Sequence, residues 1–484
     1  MKLNLKEYFK ISAIYTIIGA FPSLLQILVQ PIIEGKDKLG PIDFSHLAIS
    51  EAIASFAFIF TLFSMGNAIA RFYYDFQDKP RGYKYLVASI FNSILFRGVL
   101  LLIIAFTFHE KIGNFFTQPE LQDFTSYGYA SIIIGLNRAI VTTATALYRN
   151  EKKIKLFVFI NLLLTVLRTG LQIAAVFLYE MSFLGYIYGT VIGSSFTSIV
   201  ILIIAYRKTG FKHNFKLMKE VNKFAFPLFQ YGLLVWGLTF ADRYFLEQMP
   251  EQLGIYNAAV NFAIGIQIIL QGLQGAVQPE LFSFMKAGIK EYSKEIKTIS
   301  NLFMVQSQVV IILSIIPIII FFLIFYETDL KLASELIAII FIKQIFITQY
   351  NIFSAPIYYL KKTKIFLYIN IVILIINLIL NFLLIPIFKI YGAIIASITS
   401  SFLQTMIMYY YQEKHAPIKW NTKKLLIFPL TITIVTIILQ LFQVQFSLNP
   451  LIAAIIINII FISGLLILYK KEINNLWYKY IKKI

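Results

Sequence analysis

The 484-residue chain contains no cysteine and only four histidines, and charged residues make up just 14% of it. The first absence excludes a disulfide framework, a thiol nucleophile and a Cys-ligated metal. The histidines, at 46, 109, 213 and 415, show no His-x-x-x-His spacing, so neither a zinc site nor any other cofactor is expected. A soluble domain carries about 25% charged residues. With 58% hydrophobic residues and a mean hydropathy of +0.75, this chain reads as an integral membrane protein. Its charge leans one way, to a net +19. Lysine and arginine nevertheless punctuate the apolar runs and do not gather in one basic domain with interleaved aromatics, so nucleic acid is not an expected partner.

Windows of about 20 apolar residues predict fourteen spans, near 11–33, 46–70, 86–108, 125–147, 156–179, 182–206, 224–246, 255–282, 300–325, 333–355, 366–388, 391–412, 425–443 and 450–469. The first runs past signal-peptide length with no small-residue cleavage site, and so reads as a retained span. Basic residues alternate between high and low from one connection to the next. They sum to 33 on the side of the termini and to 6 on the other, with Arg243 counted among the 6. The positive-inside rule then puts both termini in the cytoplasm.

EKKIKLFVFIN (151–161) and LKKTKIFLYIN (360–370) align without a gap at an offset of 209, and SFLGYIYG (182–189) resembles FKIYGAII (388–395) with a two-residue gap. The offset corresponds to six spans, so the two halves enter the membrane in the same sense. The prediction is an all-α polytopic fold of two six-helix lobes, 1–213 and 214–414, related by an axis along the membrane normal. Helices 13 and 14, within 415–484, fall outside the duplication. Repeated lobes of this kind suit a transporter that alternates between two openings.

Four basic residues lie near the middle of predicted spans: Arg97, Arg138, Arg168 and Lys343. Each costs about 2.5–3.5 kcal/mol on insertion scales, and the in-span acids Glu51, Asp242 and Glu280 are too few to neutralise all four at mid-depth. An anionic ligand supplies the missing charge, and the planar fork of arginine suits phosphate. Polar stripes run beside them. Asn161, Thr165, Arg168 and Gln172 share one helix face, as do Ser131, Arg138, Thr142 and Thr145. Gln267, Gln271, Gln274 and Gln278 form a third row, and Lys343 stands beside Gln344, Thr348 and Asn351. Such rows face a protein interface or a watery cavity, where amides suit sugar hydroxyls. Asn161, Gln172 and the four glutamines are therefore candidate substrate contacts, against the alternative of interhelical amide bonds. Glu51, Asp242 and Arg243 are candidates for gating or ion coupling, against structural pairing for Glu51 and interfacial anchoring for the other two. On a helix, Asp242 and Arg243 point about 100° apart and need not pair.

Phe226-Pro227, Asp242-Arg243 and Leu253-Gly254-Ile255-Tyr256, in that order around the seventh span, resemble the polysaccharide-export (Wzx-type, O-antigen) flippases of the multidrug/oligosaccharidyl-lipid/polysaccharide exporter superfamily. GNAIARFYYD (66–75), GAVQPELF (275–282) and NLILNFLLIPIFKIYGAIIAS (377–397) resemble the same family. The resemblance implies two six-helix lobes around a cationic cavity in the bacterial inner membrane. Its substrate there is an undecaprenyl-diphosphate-linked oligosaccharide carried from the cytoplasmic to the periplasmic leaflet. It further implies a setting of membrane lipids, glycosyltransferases and a polysaccharide polymerase, and a transporter in place of an enzyme. Two relatives stay open as alternatives. The lipid II flippases resemble one another in an Arg-bearing first span, where this chain has Gln26 and Gln30; the cation-coupled multidrug exporters use buried carboxylates, and the first span here has none. A membrane-embedded glycosyltransferase and a non-transporting scaffold are the competing classes.

Overall fold

The structure, a computed structural model, describes residues 5–178, 182–362 and 364–470. In hydrocarbon every backbone N–H and C=O must be satisfied within the segment, and Ile-, Leu- and Phe-rich runs do this as helices. In chain order the helices are α1 (Leu5–Ile33), α2 (Pro41–Leu62), α3 (Met65–Phe76), α4 (Pro80–Gly113), the single turn α5 (Pro119–Gln122), α6 (Phe124–Asn150), α7 (Ile154–Leu178), α8 (Phe183–Thr209), α9 (Phe215–Leu246), α10 (Pro250–Gly288), α11 (Ser293–Phe325), α12 (Ala333–Tyr359), α13 (Lys364–Phe388), α14 (Ile390–His415), α15 (Phe428–Phe446) and α16 (Pro450–Leu468). Among the described residues, twelve helices are long and apolar enough to cross a membrane, with Pro41–Phe76 counted as one. The two remaining predicted spans correspond to α1 and to the 27-residue α12. The protein is a multi-pass, all-α membrane protein.

Helix packing gathers Met1–Asn257 into one compact unit and Ala258–Ile484 into a second. In the first, α2 packs on α6, α7 on α8, α1 on α7, and α9 on α2 and α3. In the second, α13 packs on α14, α12 on α11 and α14, and α15 on α12 and α16. Packing and repeat therefore divide the chain differently: α9 opens the second repeat in sequence but is packed against α2.

The repeat persists at atomic detail. Lys152 and Lys361, at the offset of 209, both take left-handed φ, 56° and 57°. The next residue closes the same turn in each half, Lys153 N donating to Tyr148 O at 2.9 Å and Lys362 N to Ile357 O at 3.2 Å, a Schellman-type helix end. Inside the following helices, Asn161 Nδ2 donates to Phe157 O at 2.8 Å and Asn370 Nδ2 to Phe366 O at 2.6 Å, again at the same offset.

Several helices run past the predicted spans, among them α4, α10 and α11, and two further differences bear on the motifs. Helix α9 begins at Phe215, so Pro227 lies inside it and does not start it. The predicted second span is interrupted: Phe63 (φ 44°, ψ 40°) ends α2 and Ser64 (φ 58°, ψ 21°) starts α3. A left-handed conformation costs a non-glycine residue about 1–2 kcal/mol, so surrounding contacts must hold this break.

Candidate functional site

The first unit brings Glu51, Arg138 and Arg168 together. Glu51 on α2 and Arg138 on α6 form a two-pronged pair, Nη1–Oε1 at 2.7 Å and Nη2–Oε2 at 2.9 Å. Ser55, one turn after Glu51, donates to Oε1 at 2.9 Å and lies 3.3 Å from Arg138 Nη1. The pair is not sealed: the Glu51 side chain is 46% exposed and that of Arg138 33%. One of the four central cations is thus neutralised by an acid, on an open face.

Arg168 on α7 lies within Coulombic range of both Glu51 and Arg138. Its Nη2 donates to the Pro22 carbonyl of α1 at 2.8 Å, while its buried Nε has no partner among the described residues. Helix α8 fixes the backbone here by close approach. A Cβ at Gly193 would stand 2.6 Å from the Arg168 nitrogen, and one at Gly189 2.6 Å from the Leu171 carbonyl. Only glycine at these two positions, four residues apart, lets the helices meet backbone to backbone.

The polar stripe around Arg168 turns inward. Gln172 and Gln26 exchange amide hydrogen bonds at 3.0 and 3.1 Å, Gln172 also donates to Thr190 at 2.7 Å, and Gln26 reaches Thr169 at 3.2 Å. Tyr186 donates to Gln26 Oε1 at 2.7 Å. Asn161 bonds its own helix and is buried, as is Gln172. Gln26 and Gln172 join α1, α7 and α8. In the second unit the matching stripe does the same for α13 and α14, with Asn377 donating to Ser400 at 3.1 Å and Gln404 to Asn370 at 2.8 Å. Sequence reasoning passed over Ser55, Thr190 and Tyr186. Ser55 had a signal, since it sits four residues from Glu51 on the same helix face.

Arg97 is engaged elsewhere. Its Nη2 donates to Asn222 Oδ1 at 3.1 Å, its Nη1 lies 3.4 Å from Thr61 O, and its guanidinium stacks 4.4 Å from the Phe63 ring. Among the described residues, Arg138 is the only one of these three arginines in an ion pair. Lys343 is half-buried in the second unit and hydrogen-bonded to Ser397 of α14. Gln267, Gln274 and Gln278 on α10 are half-buried and Gln271 exposed.

Asp242 and Arg243 are buried in the first unit and do meet, at 3.3 Å. Asp242 also accepts from Tyr256, and Arg243 donates to Thr239 O at 2.7 Å and stacks on Phe240. A Cβ at Gly254 would stand 1.9 Å from the Pro41 carbonyl. The Asp-Arg and Leu-Gly-x-Tyr residues thus form one packed knot. Next to it Glu247 accepts from the Thr117 and Gln118 backbone nitrogens at 3.0 and 2.9 Å, and Gln118 bonds His46 at 2.8 Å.

No curated protein matches the chain significantly. Among solved structures, the lipid II flippase MurJ in an inward closed conformation superposes with a TM-score of 0.67 at 16% identity, covering 96% of this chain and 99% of that one. An inward-facing multidrug resistance MATE family transporter of the MOP superfamily gives a TM-score of 0.64 at 12% identity, with coverages of 83% and 94%. The MATE multidrug transporter DinF-BH gives 0.60 at 17%, also covering 83% and 94%. These neighbours are transporters, and at such identities the likeness is one of fold. The family model described as polysaccharide biosynthesis protein matches residues 11–285, more than half of the sequence, and the chain therefore belongs to that family, with a fold shared by MurJ and the MATE transporters.

Proposed function

We propose that the protein is a flippase that moves an undecaprenyl-diphosphate-linked oligosaccharide, an O-antigen or other surface-polysaccharide repeat unit, from the cytoplasmic to the periplasmic leaflet of a bacterial inner membrane. Both termini lie in the cytoplasm, on the side rich in lysine and arginine. The observation that carries this reading is the open Glu51–Arg138 pair with Arg168 in Coulombic range. The Arg138 fork already holds a carboxylate by two oxygens, and a diphosphate offers the same two-oxygen edge with more charge. Arg168, bonded to a neutral carbonyl, brings a second cation to the same anion. Gln172 supports this site by joining α7 to α1 through Gln26 and to α8 through Thr190, and Asn161, bonded within α7, is a further candidate contact. Lys343 and the α10 glutamines are the second unit's candidates for substrate contact. Alternation of the two lobes carries the headgroup across, and the polymerase and glycosyltransferases of the same polysaccharide are its functional partners.

In a strain that depends on this protein, Arg138→Ala and Arg168→Ala are expected to accumulate lipid-linked oligosaccharide at the inner leaflet at unchanged protein level. Full export by both variants removes the site assignment. Transport of lipid II is the second reading, favoured by the superposition on MurJ over 96% of the chain. Competition between the two lipids in reconstituted vesicles separates them.

A further inference from the structure

We propose that Arg97 is a positioning residue that sets the angle between α2 and α3, and that the Phe63–Ser64 break is the hinge it controls. Pro41–Phe76 is continuous as an apolar span, yet the backbone leaves the helix for two residues and re-enters it at once, with Asn67 N and Ala68 N both bonding Ser64 O at 3.1 Å. Neither Phe63 nor Ser64 is a glycine, and no proline lies between Leu62 and Met65. No glycine or proline dictates the left-handed pair; contacts hold it, one of them local, Asn67 Nδ2 donating to Ser64 Oγ at 3.0 Å.

Arg97 supplies the long-range ones at Thr61 and Phe63. It approaches the Thr61 carbonyl, one of the acceptors that the end of α2 leaves without an intrahelical partner. Its guanidinium stacks on Phe63, whose ring also stacks on Phe229 of α9 at 4.4 Å. Its other nitrogen is held by Asn222 of α9. One side chain of α4 thus ties the end of α2 to α9 at the point where the chain bends. Helix α2 carries Glu51 and Ser55, and α3 carries the exposed Arg71–Asp75 pair at the other side of the break. A change in the bend angle therefore moves the Glu51 end of the anion site relative to α3, and Arg97 couples the two without touching the ligand.

The chain has no cysteine, so Ile42→Cys and Tyr74→Cys, both at exposed positions beyond the ends of the bend, accept a clean pair of spin labels. In the purified full-length protein without substrate, a narrow distance distribution is expected, broadened or shifted by Arg97→Ala and largely restored by Arg97→Lys, which keeps a cation over Phe63. In reconstituted vesicles Arg97→Ala lowers the flipping rate about tenfold while affinity for a polyprenyl diphosphate probe holds. Should Arg97→Ala fail to fold, Asn222→Ala removes one of the three contacts and is expected to change the distances in the same direction. Unchanged distances in whichever of these variants folds overturn the proposal, and so does a loss of diphosphate affinity without a change of distance, which makes Arg97 a ligand. The rate arm rests on the flippase reading. The distance arm does not, so the two fail separately.

Discussion

Glu151 sits just past the end of α6 and gathers three donors: Lys208 Nζ at 2.6 Å, Lys153 Nζ at 2.8 Å and the Tyr83 hydroxyl. Burial alone raises its carboxyl, but the hydrogen bonds from Lys153, Lys208 and Tyr83 outweigh burial and hold it below the usual carboxylate range. A depressed folded pKa contributes stability above the unfolded value, and that contribution is lost as pH falls through the folded one. Glu151→Gln is therefore expected to lower the melting temperature at neutral pH. The gap to wild type should start to narrow as pH falls below the ordinary glutamate value of about 4.3 and close as it passes the folded one. A gap that is independent of pH contradicts the charge argument. At Gly254 the constraint is steric. Gly254→Ala pushes a methyl group into the Pro41 carbonyl, and a loss of about 2 kcal/mol or more is expected in denaturation. Wild-type stability would mean that the two segments part without cost.

Among the elements, the duplicated turn makes the clearest comparison. Lys152 and Lys361 pay the same left-handed penalty in the same bonded turn, so Lys152→Gly and Lys361→Gly should each stabilise the protein by about 0.5–1 kcal/mol, after the entropy that glycine loses on folding. Opposite signs for the two would show that the turns differ in strain. The acid beside the turn is not duplicated: the position matching Glu151 is Leu360, so the three-donor cluster has no counterpart at the second turn. The α2–α3 break shows the limit of periodicity. TLFSMGN (61–67) contains no proline, and its glycine follows the bend. Asn67 bonds Ser64 locally, but the contact that ties the break to α9 comes from Arg97, 33 positions beyond Ser64, and no local pattern carries that information.

For the whole molecule, helix class, the approximate number of spans and the repeat were legible because each rests on hydrophobic length or identity at a fixed offset. The site was legible in part. Arg138 and Arg168 stood out by depth and charge, because a cation in hydrocarbon is costly wherever it points. Direction was not legible: spacing alone does not tell that Gln172 turns toward Gln26, that Arg97 approaches the end of α2, or that Asp242 meets both Arg243 and Tyr256. Those outcomes depend on which helix lies alongside, and that is set by contacts such as Gly193 on Arg168 and Gly254 on Pro41.

The central claim is that Arg138 and Arg168 hold the diphosphate of a lipid-linked sugar. Its most direct test is equilibrium binding of a short-chain polyprenyl diphosphate oligosaccharide to the purified protein, alongside the matching polyprenol that lacks phosphate. The account predicts binding of the diphosphate only, weakened about tenfold or more by Arg138→Ala and by Arg168→Ala. Equal affinity for the phosphate-free lipid, or undiminished diphosphate binding in both variants, would contradict it.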